Sequence, residues 1–185
     1  MKNDVVKLGL ILAIISLVAS GTLALVNNIT SPKIAEQELA AKNQARQELL
    51  PEAKEFEVVE GEFSEDIVEV YKAIDGSNVV GYIITSKTKG YGGSFDVITG
   101  IKSDGIISGV KLGTMNETPG LGAKATEPAF IDQFDSLSTE TQAYVNKNST
   151  GADGEIVAIS GATITSNAVV GGVNSALSLY NSNFK

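Results

Sequence analysis

The sequence predicts an α+β protein in which an N-terminal transmembrane helix and a stalk helix precede an antiparallel sheet with packed helices. A long uncharged apolar run stands near the N-terminus, several short β-branched runs separated by turn signals follow, and a helical apolar stripe lies near the end. Because closely spaced strands joined by tight turns pair antiparallel, and because a helix buries its apolar stripe, the second and third observations together indicate one α+β domain.

The membrane helix is predicted from Leu8–Val26, which contains 19 residues without a charge. At helical rise this run spans about 28 Å, close to the roughly 30 Å hydrocarbon core of a bilayer. A cleaved signal peptide is the alternative, but its apolar region is usually about 7–15 residues long and ends at a small-residue site, which does not follow here. We therefore assign residues 1–27 to a retained anchor, and Lys2 and Lys7 favour a cytoplasmic N-terminus.

The next segment, residues 28–53, is predicted to be a stalk helix. Thr30 or Ser31 is placed to cap a new helix and Pro32 to open its first turn, while Pro51 ends it. Its apolar residues recur irregularly at helical spacing, and its charged residues are typical of a solvated face.

Residues 54–185 form the predicted sheet domain. Four runs rich in Val, Ile and Tyr predict an antiparallel meander: Ile67–Ile74, Val79–Ser86, Phe95–Ile101 and Ile106–Gly113. Two later strands and two helices are predicted at Gln142–Asn146, Glu155–Ile159, Glu127–Phe134 and Ser166–Tyr180. The last helix carries an apolar face that should pack on the sheet, made of Val169, Val173, Ala176, Leu177 and Tyr180.

The composition excludes several classes of function. With 14 Lys+Arg against 22 Asp+Glu the chain has a net charge of −8, which opposes binding to nucleic acid. With no Cys and no His it has no thiolate or imidazole metal site, no His-ligated haem and no Ser-His-Asp nucleophile. Neither a catalytic residue nor a metal ligand is assigned from the sequence.

Two stretches of small and polar residues are candidate binding elements. Ser160–Asn167 joins an apolar strand to the start of the last helix and carries four hydroxyls, an arrangement that favours an anion such as phosphate. The alternative is an ordinary helix cap by Ser166 or Asn167. Glu117–Lys124 combines Pro, paired Gly and polar side chains, which lets backbone approach a flat ligand, although a plain connecting loop has the same composition.

The order of three motifs resembles a known family. Residues 90–93 read GYGG, residues 117–122 read ETPGLG, and residues 160–163 read SGAT immediately before a helix. This combination, together with the anchor and the Asn28–Pro32 exit, is similar to the FMN-binding domain of the G subunit of the Rnf electron-transport complex. It is also similar to the related C subunit of the Na+-translocating NADH:quinone reductase, but the short chain favours the Rnf protein.

The resemblance implies covalent FMN, bound by a phosphoester to Thr163. The same resemblance implies that the flavin ring is lined by Glu117, Thr118, Pro119, Gly120, Leu121 and Gly122. It implies that the phosphate end is lined by Ser160, Gly161, Ala162, Thr165 and Ser166. Lys124 is either a charge that raises the flavin potential or a solvated side chain, and Gly92 and Gly93 are additional candidates. The family pattern has an acidic residue where this chain has Val157, and we expect modification because residues 160–163 are intact.

The function implied by the resemblance is electron relay in an Rnf-type complex that passes electrons between ferredoxin and NAD and translocates Na+ or H+. The chain would be an electron-carrying subunit rather than a complete enzyme, single-pass in the cell membrane, with its FMN domain on the extracytoplasmic side. Its partners would be the other membrane and peripheral subunits and a flavin transferase. Two alternatives stay open: a freestanding extracytoplasmic flavin carrier, and a non-redox module that binds phosphate-bearing ligands or assists assembly.

Overall fold

The computed structural model describes the backbone of residues 2–185 and the side chains from Val5 onwards. Met1, the first residue of the predicted anchor, lies outside the described residues. Contacts divide the chain into two compact units, one that ends at Asn43 and one that comprises Gln44–Lys185.

The first helix, α1, comprises Lys2–Leu49. In the N-terminal unit it carries an apolar window of mean hydropathy 2.4, long and apolar enough to cross a membrane. The expected start of a separate stalk helix at Pro32 is wrong, because Pro32 lies inside α1. Thr30, expected as a cap, instead donates its hydroxyl to the carbonyl of Val26 at 2.9 Å. A proline removes one backbone hydrogen bond from a helix interior, and α1 nevertheless continues through this position.

Five antiparallel strands in sequential order form the main sheet. They are β1 (Glu55–Val58), β2 (Ile67–Asp75), β3 (Asn78–Lys89), β4 (Ser94–Lys102) and β5 (Ile107–Leu112). The four predicted runs are thus confirmed as β2 to β5 with small changes at their ends. The short edge strand β1 was not among the predicted strands, because its alternation of Glu with Phe and Val extends over only four residues.

The two faces of the sheet are covered by different elements. Successive residues of a strand point to opposite faces, so Ile83 and Ile98 lie on one side while Ile84 and Val97 lie on the other. The first face packs against the end of α1 through Leu49 and its neighbours. The second face carries the larger core and the C-terminal helix, which contacts β3 and β4.

The C-terminal helix, α3, comprises Thr163–Asn183 and begins earlier than predicted. All five residues of its predicted apolar face are buried, which confirms the helical stripe. Gly172 lets α3 lie close to the sheet, where the hydroxyl of Ser86 donates to the Gly172 carbonyl at 2.8 Å. The other end of α3 reaches Lys102, whose carbonyl accepts from the Tyr180 hydroxyl at 3.3 Å. The start of α3 therefore lies near the turn between β3 and β4.

The segment between the sheet and α3 is more irregular than predicted. The expected helix Glu127–Phe134 is a short helix α2 (Pro128–Ile131) between two 3-10 turns, Gly122–Thr126 and Asp132–Phe134. Its two aromatic residues, Phe130 and Phe134, are buried edge to face with ring centroids 5.8 Å apart. The two later strands are shorter than expected: β6 (Tyr144–Asn146) and β7 (Glu155–Val157) form a parallel pair.

Candidate functional site

A cavity of about 520 Å³ opens where three segments of the sheet domain meet. The segments are the turn between β3 and β4, the loop after β5, and the turn that leads into α3. The volume falls in the range of roughly 300–1,000 Å³ that is typical of small-molecule sites. The lining residues are Tyr91, Glu117, Thr118, Leu121, Gly122, Gly161, Ala162, Thr163, Ile164 and Thr165.

The first turn of α3 supplies unpaired backbone donors to this cavity. The first helical bond runs from the Ser166 N–H to the Ala162 carbonyl at 3.0 Å, and no side chain caps the helix start. Within the described residues, the N–H groups of Thr163, Ile164 and Thr165 consequently have no acceptor. Unpaired N–H groups and the positive end of the helix dipole make such a turn a site for an anion.

Thr163 is the exposed hydroxyl nearest to these donors along the chain, since it is the first residue of α3. The turn before it depends on Gly161, whose φ of +77° is a left-handed conformation that favours glycine. The Cδ2 atom of Leu121 would lie only 3.1 Å from a Cβ at Gly161, so the two motif segments touch across the cavity.

Ser166 has a structural role rather than a place in the cavity. Its hydroxyl donates to the carbonyl of Ala162 at 3.0 Å and accepts from the N–H of Ile159 at 3.0 Å. It therefore ties the first turn of α3 to the end of the preceding strand segment. The alternative prediction, a helix cap by Ser166, is wrong, because no side chain caps the start of α3. Ser160 is exposed and does not line the cavity.

Glu117 is the one charged residue among the described residues that line the cavity, and 8% of its surface is exposed. Its Oε1 accepts from the N–H of Gly92 at 3.1 Å, and its Oε2 accepts from the hydroxyl of Thr165 at 2.9 Å. One carboxylate thus connects the turn between β3 and β4 with the first turn of α3.

Glycines leave the space that this carboxylate occupies. A Cβ at Gly90 would overlap Glu117 Oε1, and a Cβ at Gly122 would overlap Oε2 and lie 2.7 Å from Thr165 Oγ1. The absence of side chains at these positions is therefore explained by the packing of Glu117.

The remaining predicted residues of the ETPGLG stretch are divided between two places. Thr118, Leu121 and Gly122 line the cavity, whereas Pro119 and Gly120 do not. Gly120 has a φ of +76°, and a Cβ there would meet no described atom within 4 Å.

Lys124 lies on a second cavity of about 410 Å³, where its neighbours include Glu127 and Val157. The structure therefore does not bring Lys124 into the first cavity, and none of the described residues that line the first cavity is basic.

Two residues of the cavity were not predicted from sequence. Tyr91 is 72% exposed and Ile164 is 57% exposed, and with Leu121 at 43% they place three large apolar side chains around one opening. The GYGG motif includes Tyr91, but the candidate site residues predicted from it are Gly92 and Gly93. Ile164 had no signal of its own, because an apolar residue in the first turn of a helix is ordinarily part of the core.

Comparisons with known proteins relate the chain to membrane electron-transfer complexes. A family described as FMN-binding domain matches residues 90–178, and a family described as RnfG N-terminal region matches residues 1–49. The G subunit of the Na(+)-translocating ferredoxin:NAD(+) oxidoreductase complex of Acetobacterium woodii is 43% identical, over 95% of this chain and 91% of the relative. The G subunit of the proton-translocating ferredoxin:NAD(+) oxidoreductase complex of Clostridium ljungdahlii is 31% identical, over 95% of this chain and 91% of the relative.

A solved structure supports the fold. The crystal structure of the C subunit of the Na(+)-translocating NADH-quinone reductase of Parabacteroides distasonis superposes with a TM-score of 0.59 at 25% identity. The match covers 78% of this chain and 93% of that structure.

Proposed function

The chain belongs to the G-subunit family of Rnf-type ion-translocating oxidoreductase complexes, and from that premise we propose that it carries FMN as a phosphoester on Thr163. The coarser function follows from the family: the chain is a membrane subunit with an FMN-binding domain that serves electron transfer. The observation that carries the finer proposal is the exposed Thr163 hydroxyl at a helix start whose N–H groups are unpaired.

The residues of the cavity fit such a group at both of its ends. A phosphodiester keeps one negative charge, and the three unpaired N–H groups of α3 are suited to hold it without a cationic side chain. The three apolar side chains around the opening, Tyr91, Leu121 and Ile164, offer matching surface to a flat aromatic ring. When bound, the isoalloxazine ring supplies the redox chemistry, and the protein supplies binding and orientation.

Each segment of the cavity has a separate task in this proposal. Gly161 turns the chain so that Thr163 becomes the first residue of α3, and Ser166 holds that turn through its two hydrogen bonds. Attachment requires the Thr163 hydroxyl to lose a proton and bond to phosphorus while the leaving group of the flavin donor departs with its electron pair. Among the described residues that line the cavity, the one side chain suited to accept that proton is Glu117, and both of its oxygens already accept hydrogen bonds, so we assign the step to an external flavin transferase.

The rest of the proposal concerns the surroundings of the protein. The apolar window of α1 anchors the chain, with the N-terminus in the cytoplasm and the FMN domain on the extracytoplasmic side. Its partners are the other membrane and peripheral subunits, and the complex couples electron transfer between ferredoxin and NAD to movement of Na+ or H+. The two relatives named above are described with different ions, so similarity in this family does not specify the ion.

The proposal is tested with Thr163→Ala in the full chain, produced together with a flavin transferase. Wild-type protein should show the mass increment of FMN in intact mass spectra and a fluorescent band after denaturing electrophoresis, and Thr163→Ala should show neither. Folding should survive, because loss of one exposed hydroxyl costs about 1 kcal/mol or less.

Ser160→Ala is the matched control, since it removes a hydroxyl of the same motif that lies outside the cavity. It should retain the flavin. Flavin on denatured Thr163→Ala protein would refute the attachment site.

A further inference from the structure

We propose that Glu117 is a positioning residue, whose carboxylate holds the cavity in its binding shape before any cofactor arrives. The inference rests on the proposed function only in taking FMN as the ligand for which the cavity is shaped. The sequence resemblance places Glu117 among residues that line the flavin ring. The geometry points to a different task, which is to join the three segments that make the walls.

The Glu117 carboxylate is directed at the protein on both sides. Both of its oxygens already accept hydrogen bonds from the protein, Oε1 from the Gly92 N–H and Oε2 from the Thr165 hydroxyl. These donors belong to two walls, the turn between β3 and β4 and the first turn of α3, while Glu117 itself belongs to the third. A single side chain therefore fixes all three walls relative to one another.

The partners of the Glu117 carboxylate are hydrogen-bond donors without charge. No described Lys or Arg forms an ion pair with Glu117, although only 8% of the residue is exposed to solvent. A buried carboxylate of this kind needs its hydrogen bonds, because an unsatisfied buried acceptor carries a desolvation cost. The Gly92 and Thr165 donors are thus required for burial of Glu117, and burial of Glu117 in turn holds both donors in place.

Two glycines pack on the same carboxylate. Side chains at Gly90 and Gly122 would overlap its two oxygens. Gly90 lies on the turn between β3 and β4, and Gly122 lies on the loop that carries Glu117, so both segments approach the carboxylate closely.

The experiment measures hydrogen exchange at the Gly92 amide in the full chain in detergent, produced without flavin, using peptides that bracket residue 92. Glu117→Leu replaces the carboxylate with an apolar side chain that is one heavy atom shorter, and it removes both acceptors. It should accelerate exchange at Gly92 by about tenfold or more, as expected for loss of a charge-assisted hydrogen bond. Glu117→Gln keeps an acceptor for Gly92 and should stay within about threefold of wild type.

Two further variants make the result specific. Glu127→Gln removes one negative charge from an exposed position outside the cavity and should leave Gly92 exchange unchanged. Thr165→Val removes only the second donor while keeping the side-chain shape, and it applies even where Glu117→Leu does not fold. It should accelerate exchange at Gly92 severalfold, because the carboxylate loses one of its two supports. Unchanged exchange at Gly92 in Thr165→Val, or in folded Glu117→Leu, would overturn the proposal.

Flavin attachment provides the second measurement. With a flavin transferase present, Glu117→Gln should rescue the attachment rate that Glu117→Leu loses severalfold, because Thr163 itself is intact in both. Failure of the two proposals is distinguishable. A wild-type chain without flavin, but with a Gly92 amide that responds to Thr165→Val, refutes the cofactor and leaves the positioning role. A chain that carries flavin, but whose Gly92 exchange does not change in the Glu117 and Thr165 variants, refutes the positioning role and leaves the cofactor.

Discussion

Two glutamates of the sheet domain, Glu69 and Glu117, solve the problem of burial in different ways. Glu69 lies on the face covered by the end of α1 and pairs with Arg46, which is 4% exposed, at 3.1 Å. The Arg46 guanidinium also stacks on the ring of Tyr71, 3.6 Å from its centroid. Glu117 lies at the cavity near α3 and is held by a backbone N–H and a hydroxyl, with no described cation beside it.

Glu69 belongs to a contact between α1 and the sheet, whereas Glu117 belongs to the wall of a cavity. The ion pair between Arg46 and Glu69, together with the stacking of Arg46 on Tyr71, connects the last turns of α1 to the sheet. A cation beside Glu117 would place a long side chain in the cavity, whereas an N–H and a hydroxyl already belong to the walls. We therefore expect disruption at Glu69 to lower stability most, and disruption at Glu117 to change the cavity first.

Removal of the cation should have the largest effect on stability. Arg46→Ala removes the buried guanidinium that pairs with Glu69 and uncovers the Tyr71 ring, so it should lower the free energy of unfolding by about 3 kcal/mol. Urea denaturation of the full chain in detergent, followed by circular dichroism, measures the change. Flavin attachment to chains that remain folded should be normal.

Lys54→Ala is the matched control, because it removes an exposed lysine that pairs with Asp75 at 2.7 Å on the same sheet. Its effect should be much smaller, since exposed pairs are screened by solvent. Equal effects of Arg46→Ala and Lys54→Ala would show that burial of the Arg46 pair is not what stabilises this face.

Two glycines of one loop distinguish steric overlap from backbone strain. Gly122→Ala should cost about 2 kcal/mol, because its Cβ overlaps the Glu117 carboxylate and crowds Thr165. Gly120→Ala should cost about 1 kcal/mol, because its φ is positive but its Cβ meets open space. The same urea titration compares them, and flavin attachment should fall only in Gly122→Ala. Loss of flavin attachment in Gly120→Ala alone would show that attachment does not depend on the contacts of Glu117 with Gly122 and Thr165.

Asp66 provides the smallest effect and a pH test of a carboxylate held by hydroxyls. Hydrogen bonds from Ser175 and Ser64 hold the pKa of Asp66 below its ordinary value. A lowered folded pKa adds stability above the unfolded pKa, and that stability is lost as the pH falls through the folded pKa. Asp66→Asn should therefore lower the unfolding free energy by less than about 1 kcal/mol at pH 7. Thermal unfolding measured from pH 7 to pH 3 should show the stability difference between wild type and Asp66→Asn becoming smaller. A difference that does not change with pH would show that the effect does not come from the charge of Asp66.

Much of the sheet domain was predictable because its signals are local. The strands β2 to β5 follow from β-branched runs between Gly-containing turns, and the buried face of α3 follows from helical spacing. The family resemblance, rather than a local pattern, implied that Thr163, Gly161, Thr118 and Leu121 surround one ligand, and the structure brings them to one cavity. The strand runs and the helical spacing involve only neighbouring residues, so they can be recognised without knowledge of any tertiary contact.

Other features were not predictable because they depend on contacts between distant segments. The edge strand β1 is recruited by β2, and Tyr91 and Ile164 meet at the cavity only after the turn between β3 and β4 and the start of α3 are brought together. Pro32 stays within α1, although its local preference favours a helix start. Lys124, predicted with the ETPGLG stretch, is carried by its 3-10 turn to the second cavity.

The sequence by itself determined the apolar helix, the sheet meander, the family motifs and the hydroxyl at the start of α3, because each is written in neighbouring residues. Only the tertiary structure decided what Glu117 does. A carboxylate in a loop is equally suited to face a ligand, solvent or the protein, and its role depends on which donors surround it. Here those donors are the Gly92 N–H and the Thr165 hydroxyl, 25 and 48 positions away in the chain. Because Glu117 is buried, loss of either hydrogen bond is costly. The role of Glu117 in the wall of the cavity therefore comes from contacts made on folding and not from the motif itself.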